Sequence, residues 1–292
     1  MRRKKYGGWI LYTAVMLLIC IFSVSITSAS ADSNYYAELQ QKALNCLQKY
    51  HGQQEASEIM GWSAIALCGN GLDVMSSEWR GKEALAGLKR NIAKGEQADL
   101  NITTDAARLI LVLKVAGQDP SAFAGLNLPN TIKNAQLKSG KFPDDLRYGG
   151  ESLVNAHIWS IIALQVAGNA GWNREAALAW LKSAQNPDGG YNYLKGAKES
   201  DIDVTCAALI AFSLCGAKKT DVYIKKSLDF LREHQCASGG FASWGTENCE
   251  STAMVIQALI SLGIDPGASE WKKKGGGPAD ALLKYQRPDG AF

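Results

Sequence analysis

Two kinds of apolar segment alternate along this chain. In one kind, apolar residues return at helical intervals with charges between them. Ile224, Leu228 and Leu231 are separated by Lys225, Lys226, Asp229 and Arg232, the pattern of a helix with one wet face. In the other kind the apolar positions are nearly continuous, as over residues 109–115, 158–163, 207–214 and 254–262. Such a helix is tolerated only where almost every side of it is covered.

The alternation is periodic. Gln or Asn is followed four residues later by Gly at Gln48/Gly52, Asn91/Gly95, Gln136/Gly140, Gln185/Gly189, Gln235/Gly239 and Gln286/Gly290, at intervals of 43 to 51 residues. In the last four copies an aromatic stands two residues after the glycine, at Phe142, Tyr191, Phe241 and Phe292. Between these markers Gly69, Gly117, Gly168, Gly216 and Gly263 each close an apolar run, where a glycine can supply a left-handed helix cap. Each unit therefore predicts an outer amphipathic helix and an inner apolar one, stacked as a repeat. Six outer segments but five inner ones are present. A ring of six units is then expected to stay open, as a domain of about five and a half units truncated at its C-terminus, or with its last outer helix poorly ordered.

The segments Trp180-Leu181-x-x-x-Gln185-Asn-Pro-Asp-Gly189-Gly-Tyr191 and Phe230-Leu231-x-x-x-Gln235-x-x-x-Gly239-Gly-Phe241 resemble the Gln/aromatic motif of the prenyltransferase and squalene cyclase repeat family. The resemblance covers residues 38–292 and implies an all-α fold, an α/α toroid, in a secreted bacterial-type member. It further implies that Gln136, Gln185, Gln235 and Gln286, with Gly140, Gly189, Gly239 and Gly290, are structural. The amide would cap a neighbouring helix and the aromatic would pack on it. Pro187-Asp188-Gly189 and Pro288-Asp289-Gly290 are turn sequences in their own right.

Composition adds an address. Arg2, Arg3, Lys4 and Lys5 precede an apolar stretch from Trp9 to about Ile26 and then Ala29-Ser30-Ala31. That order is expected of an export signal over residues 1–31, cleaved after Ala31 or kept as an anchor, ahead of a repeat domain over 32–292. The formal charge of +3 includes those four basic residues, so the remainder is close to neutral. A nucleic-acid partner is not expected, since phosphate binding needs a clustered basic surface. A membrane is expected as partner only through the N-terminal segment. Export permits disulfides, and Cys236 and Cys249, flanking one loop, are the candidates for a bridge. Cys206 and Cys215, about 13.5 Å apart along one helix, cannot pair.

The sharpest candidate chemistry is Asp201-Ile202-Asp203-Val204, which resembles the Asp-x-Asp-Asp motif of proton-initiated terpene cyclases, with Asp203 as acid and Asp201 as a weaker candidate. Val204 replaces the third Asp. The competing reading is a helix cap. Asp203 stands 13 residues before its closing glycine, in register with Thr104, Asn155 and Glu250, where an inner helix begins and a polar side chain can cap free N–H groups. The three histidines show no ligand spacing with cysteine, so no metal and no cofactor is expected. Neither a phosphate loop nor a serine nucleophile elbow occurs.

The register also predicts a pocket at one end of the inner helices. Asp105, Asn155, His157, Asp203, Thr205 and Glu250 are expected at its rim, with Arg108, Trp159, Tyr191, Tyr193 and Trp244 close by. Arg108 has Asp105 three residues earlier as an ion-pair partner. The function expected is non-catalytic binding of an apolar or mixed small molecule, or of a cell-surface partner. A terpene cyclase-like isomerase acting through Asp203 and a purely structural surface module are the alternatives.

Overall fold

The computed structural model describes residues 30–53, 60–95 and 100–292. The expected export signal falls on residues 1–31, of which 1–29 lie outside the described residues. Among the described residues no helix is long and apolar enough to cross a membrane.

The two kinds of apolar segment become two concentric layers of helix. The amphipathic segments form α1 (Ser30–Gly52), α3 (Gly81–Lys94), α5 (Leu128–Asn134), α7 (Arg174–Ser183), α9 (Val222–Glu233) and α11 (Pro278–Leu283). The apolar runs form α2 (Trp62–Gly69), α4 (Thr103–Val115), α6 (Val154–Ala167), α8 (Ile202–Leu214) and α10 (Cys249–Ser261). Inner helices pack on one another in sequence order, α2 on α4, α4 on α6, α6 on α8 and α8 on α10. Burial follows from that placement. On α9 only Ile224, Ser227, Leu228, Phe230 and Leu231 are buried, whereas α8 buries nine of its thirteen residues. The exception to the helical plan among the described strands is one hairpin, β1 (Phe241–Ser243) and β2 (Thr246–Asn248).

What holds the units in a ring is the glutamine turn. Gln185 Nε2 donates to Gly189 O at 3.0 Å within its own turn and to Tyr223 O at 2.8 Å in the next outer helix. Gln136 does the same to Gly140 O and Asn173 O, each at 2.9 Å, and Gln235 to Gly239 O and Trp271 O. The glycine is required by contact. A Cβ at Gly189 would stand 2.4 Å from Lys226 O, and one at Gly239 would stand 2.4 Å from Gly276 O. These turns thus lie flat on the backbone of their neighbours, whereas a Cβ at Gly52 or Gly95 would meet nothing within 4 Å.

The fourth joint overturns the expectation of an open ring. Gln286 Nε2 donates to Leu39 O at 2.8 Å, across the whole length of the chain, and a Cβ at Gly290 would meet Lys42 O at 2.2 Å. The last outer helix is therefore docked on the first, and Phe292 packs against both apolar clusters of the core. The outer layer closes with six helices around an inner layer of five among the described residues.

Two further expectations are corrected. Gly69 is the last residue of α2, and the left-handed position of that unit is Gly71 at φ 69°. Cys236 and Cys249 are free thiols and do not bridge. Cys249 donates instead to Glu250 Oε2 at 3.4 Å, and burial pushes its thiol up to about 12.

Candidate functional site

The first turn of each inner helix sends side chains two ways. Residues two places apart in register have opposite duties, because a helix turns 100° per residue and two steps carry a side chain to about the opposite face. On one face, the N–H of the motif aromatic is caught by the inner helix. Phe142 N donates to His157 Nδ1 at 3.0 Å, Tyr191 N to Thr205 Oγ1 at 2.9 Å and Phe241 N to Thr252 Oγ1 at 3.0 Å. His157, Thr205 and Thr252 are the fourth residues of α6, α8 and α10. They are fully buried fasteners between the glutamine turn and the inner layer. His157 Nε2 also lies 3.0 Å from Ala177 O. Because Nδ1 accepts from Phe142, the proton sits on Nε2, and burial pushes the imidazole down to about 3, keeping it neutral.

The opposite face looks into a cavity of about 1120 Å³ at one end of the inner layer. Thr104, Asn155, Asp203 and Glu250, the second residues of four inner helices, all line it. One turn deeper, at i+4, stand Arg108, Trp159, Ala207 and Met254, and Trp62 of α2 completes that layer. Trp62 and Trp159 meet edge to face with ring centres 5.2 Å apart. The cavity is therefore two stacked rings, polar at the mouth and largely apolar beneath. Two loops raise its wall. The loop between Tyr191 and Asp201 is pinned by Asp201 N donating to Tyr191 O at 2.7 Å and presents Tyr193 and Glu199. The β1–β2 hairpin carries Trp244 at its tip, at φ 57° and 95% exposed.

Capping belongs to a different residue from the one expected. Asp201, not Asp203, caps α8, its carboxylate accepting from Val204 N at 2.8 Å. Asn248 does the same for α10, accepting from Ser251 N at 2.8 Å, so Glu250 is not a cap either. Asp201 is consequently held as a structural group. Asp203 is left facing the cavity. Its Oδ2 accepts from Ser243 Oγ at 3.4 Å, and its buried Oδ1 has no hydrogen-bond partner among the described residues. Burial, then the nearby Asp201 and Glu250 carboxylates, raise it to about 6, against the opposing hydroxyls of Ser251 and Ser243.

Of the residues expected in the pocket, Arg108, Trp159, Tyr193, Asp203, Trp244, Asn155 and Glu250 line it. His157, Tyr191 and Thr205 do not, because the turn-to-helix bonds claim them and Tyr191 is wholly buried. Asp105 stands behind the wall and holds Arg108, whose guanidinium donates to its Oδ1 at 2.7 Å. The i+4 partner Met254 and the hairpin's Ser243 were missed. So was Trp62, which lies nine residues before Gly71 just as Trp159 lies nine before Gly168. Taking Gly69 as the cap hides that register. No three His, Cys, Asp or Glu side chains converge as metal ligands among the described residues.

A family model described as "Prenyltransferase alpha-alpha toroid domain" matches residues 127–264 and, overlapping, 229–292. A drimenyl diphosphate synthase of Streptomyces showdoensis is 28% identical over 112 residues, which are 38% of this chain and 20% of that protein. The chain thus spans about a fifth of the length of that relative.

Proposed function

The chain belongs to the prenyltransferase alpha-alpha toroid domain family, and from that premise we propose that it is an exported toroid whose cavity holds an apolar small molecule with a polar end, without converting it. The observation that carries this reading is the two-layered lining. Thr104, Asn155, Asp203 and Glu250 offer hydrogen bonds at one level, and Trp62, Trp159 and Met254 offer apolar contact at the next. Concave sites of several hundred Å³ with apolar walls and a few convergent polar groups suit such ligands.

One feature argues for holding rather than converting. Carbocation chemistry needs water kept out. Here the wall ends in Tyr193 and Trp244, 48% and 95% exposed, so the mouth is wet.

The second reading is a cyclase-like isomerase with Asp203 as general acid. It draws support from the Asp203 carboxyl, which burial and neighbouring carboxylates hold protonated closer to neutral pH, and from the relative, whose name is that of a synthase. Native mass spectrometry of the full chain after mild extraction tests the first reading, with a retained small molecule as the expected result and a consistently empty protein as the contrary one. Incubation with squalene and with a prenyl diphosphate tests the second. Unchanged substrate is expected, and a cyclised product that disappears in Asp203→Asn would replace binding by catalysis.

A further inference from the structure

The charges around the cavity are one-sided. Glu199, Asp201, Asp203 and Glu250 line it. Arg108 is the only Lys or Arg in that lining among the described residues, and its guanidinium is engaged by Asp105 from behind the wall. No lysine reaches in to balance the carboxylates. The aromatic rings of Trp62, Trp159, Tyr193 and Trp244 add the negative faces of their π systems.

We propose that the cavity selects a cationic amphiphile, an alkylammonium whose charged head sits among Asp203, Glu250 and Glu199 and whose hydrocarbon body lies along Trp159, Trp62 and Met254. The inference rests on the binding role of this cavity given above and adds the charge of the ligand. The physical reason is electrostatic frustration. Like charges gathered in a partly desolvated space repel, and Asp203 is raised first by burial and then by the Asp201 and Glu250 carboxylates. A bound cation relieves that repulsion and gains from the aromatic faces, a neutral head relieves nothing, and an anionic head adds to it. The Asp203 carboxylate, which lines the cavity and whose Oδ2 accepts only a long bond of 3.4 Å from Ser243 Oγ, supplies a hydrogen-bond acceptor for an N–H of the head.

Equilibrium dialysis of the full chain against three molecules sharing one hydrocarbon, farnesylamine, farnesol and farnesyl diphosphate, separates the possibilities. The ammonium is expected to bind about tenfold or more tighter than the alcohol at neutral pH, with the diphosphate weakest. In Asp203→Asn/Glu250→Gln the ammonium and the alcohol are expected to converge to within about twofold, since the head then meets neutral amides. Equal or tighter binding of the alcohol or the diphosphate by the unsubstituted chain overturns the charge selection while leaving the apolar cavity intact. Binding of none of the three overturns the cavity reading itself, and the charge selection falls with it.

Discussion

Two faces of the same helical turn differ in what they are for. On α8, Asp203 and Thr205 are two residues apart, one looking into the cavity and the other fastening the turn of Tyr191. On α10 the same division separates Glu250 from Thr252, and on α6 it separates Asn155 from His157. The fastening face gives the N–H of each motif aromatic a buried acceptor, so it contributes stability. The cavity face leaves Asp203 Oδ1 unpartnered beside other carboxylates, so it costs stability. A carboxylate raised by burial and by its neighbours in the lining of a cavity is a mark of a site rather than of a core.

Substitutions can break this contrast, and the largest effect is expected at the joint itself. Gly189→Ala places a methyl 2.4 Å from Lys226 O at a position with φ 91°, so we expect a loss of about 3 kcal/mol or more in denaturant unfolding. His157→Leu strands the Phe142 N–H and the Ala177 carbonyl in the interior. Its expected cost is about 3 kcal/mol by the same measurement.

On the cavity face the sign reverses. The folded Asp203 carboxyl is raised to about 6 from an ordinary 3.8, so its ionisation opposes folding above pH 6 and that penalty is relieved as pH falls from 6 to 3.8. Asp203→Asn is therefore expected to raise stability by about 2 kcal/mol at pH 7, with the advantage vanishing near pH 4. Melting curves across that range check it. The smallest effect belongs to Trp244→Ala, whose side chain is 95% exposed. Its melting temperature should stay within what about 0.5 kcal/mol can shift, while binding of an apolar ligand weakens.

How far the molecule could be read in advance follows from the range of each interaction. The two helix types and their order are properties of segments about a dozen residues long, and the pattern of Ile224, Leu228 and Leu231 or of residues 207–214 carries them completely. Ring closure was not legible, because Gln286 finds its acceptor at Leu39, near the opposite end of the chain. Nor was the division of labour between Asp201 and Asp203, since both types cap helices and only the backbone geometry at Asp201 decides which one does. The polar ring of the cavity was visible as a register of Thr104, Asn155, Asp203 and Glu250. Its second layer was hidden in part by the misplaced glycine of the first unit, and His157 falls on the other face because two residues of helix rotation separate a fastener from a liner.

The most direct test compares Asp203→Asn with Thr205→Val at pH 7, each followed by thermal unfolding and by dialysis against farnesylamine. Thr205→Val is expected to lower stability by about 2 kcal/mol, through the stranded Tyr191 N–H, and to leave ammonium binding within about twofold. Asp203→Asn is expected to do the opposite, gaining stability and losing affinity. Were Asp203→Asn to destabilise the fold as much as Thr205→Val while binding stayed unchanged, the first turn of the inner helices would have one structural duty only, and the cavity would not be a site.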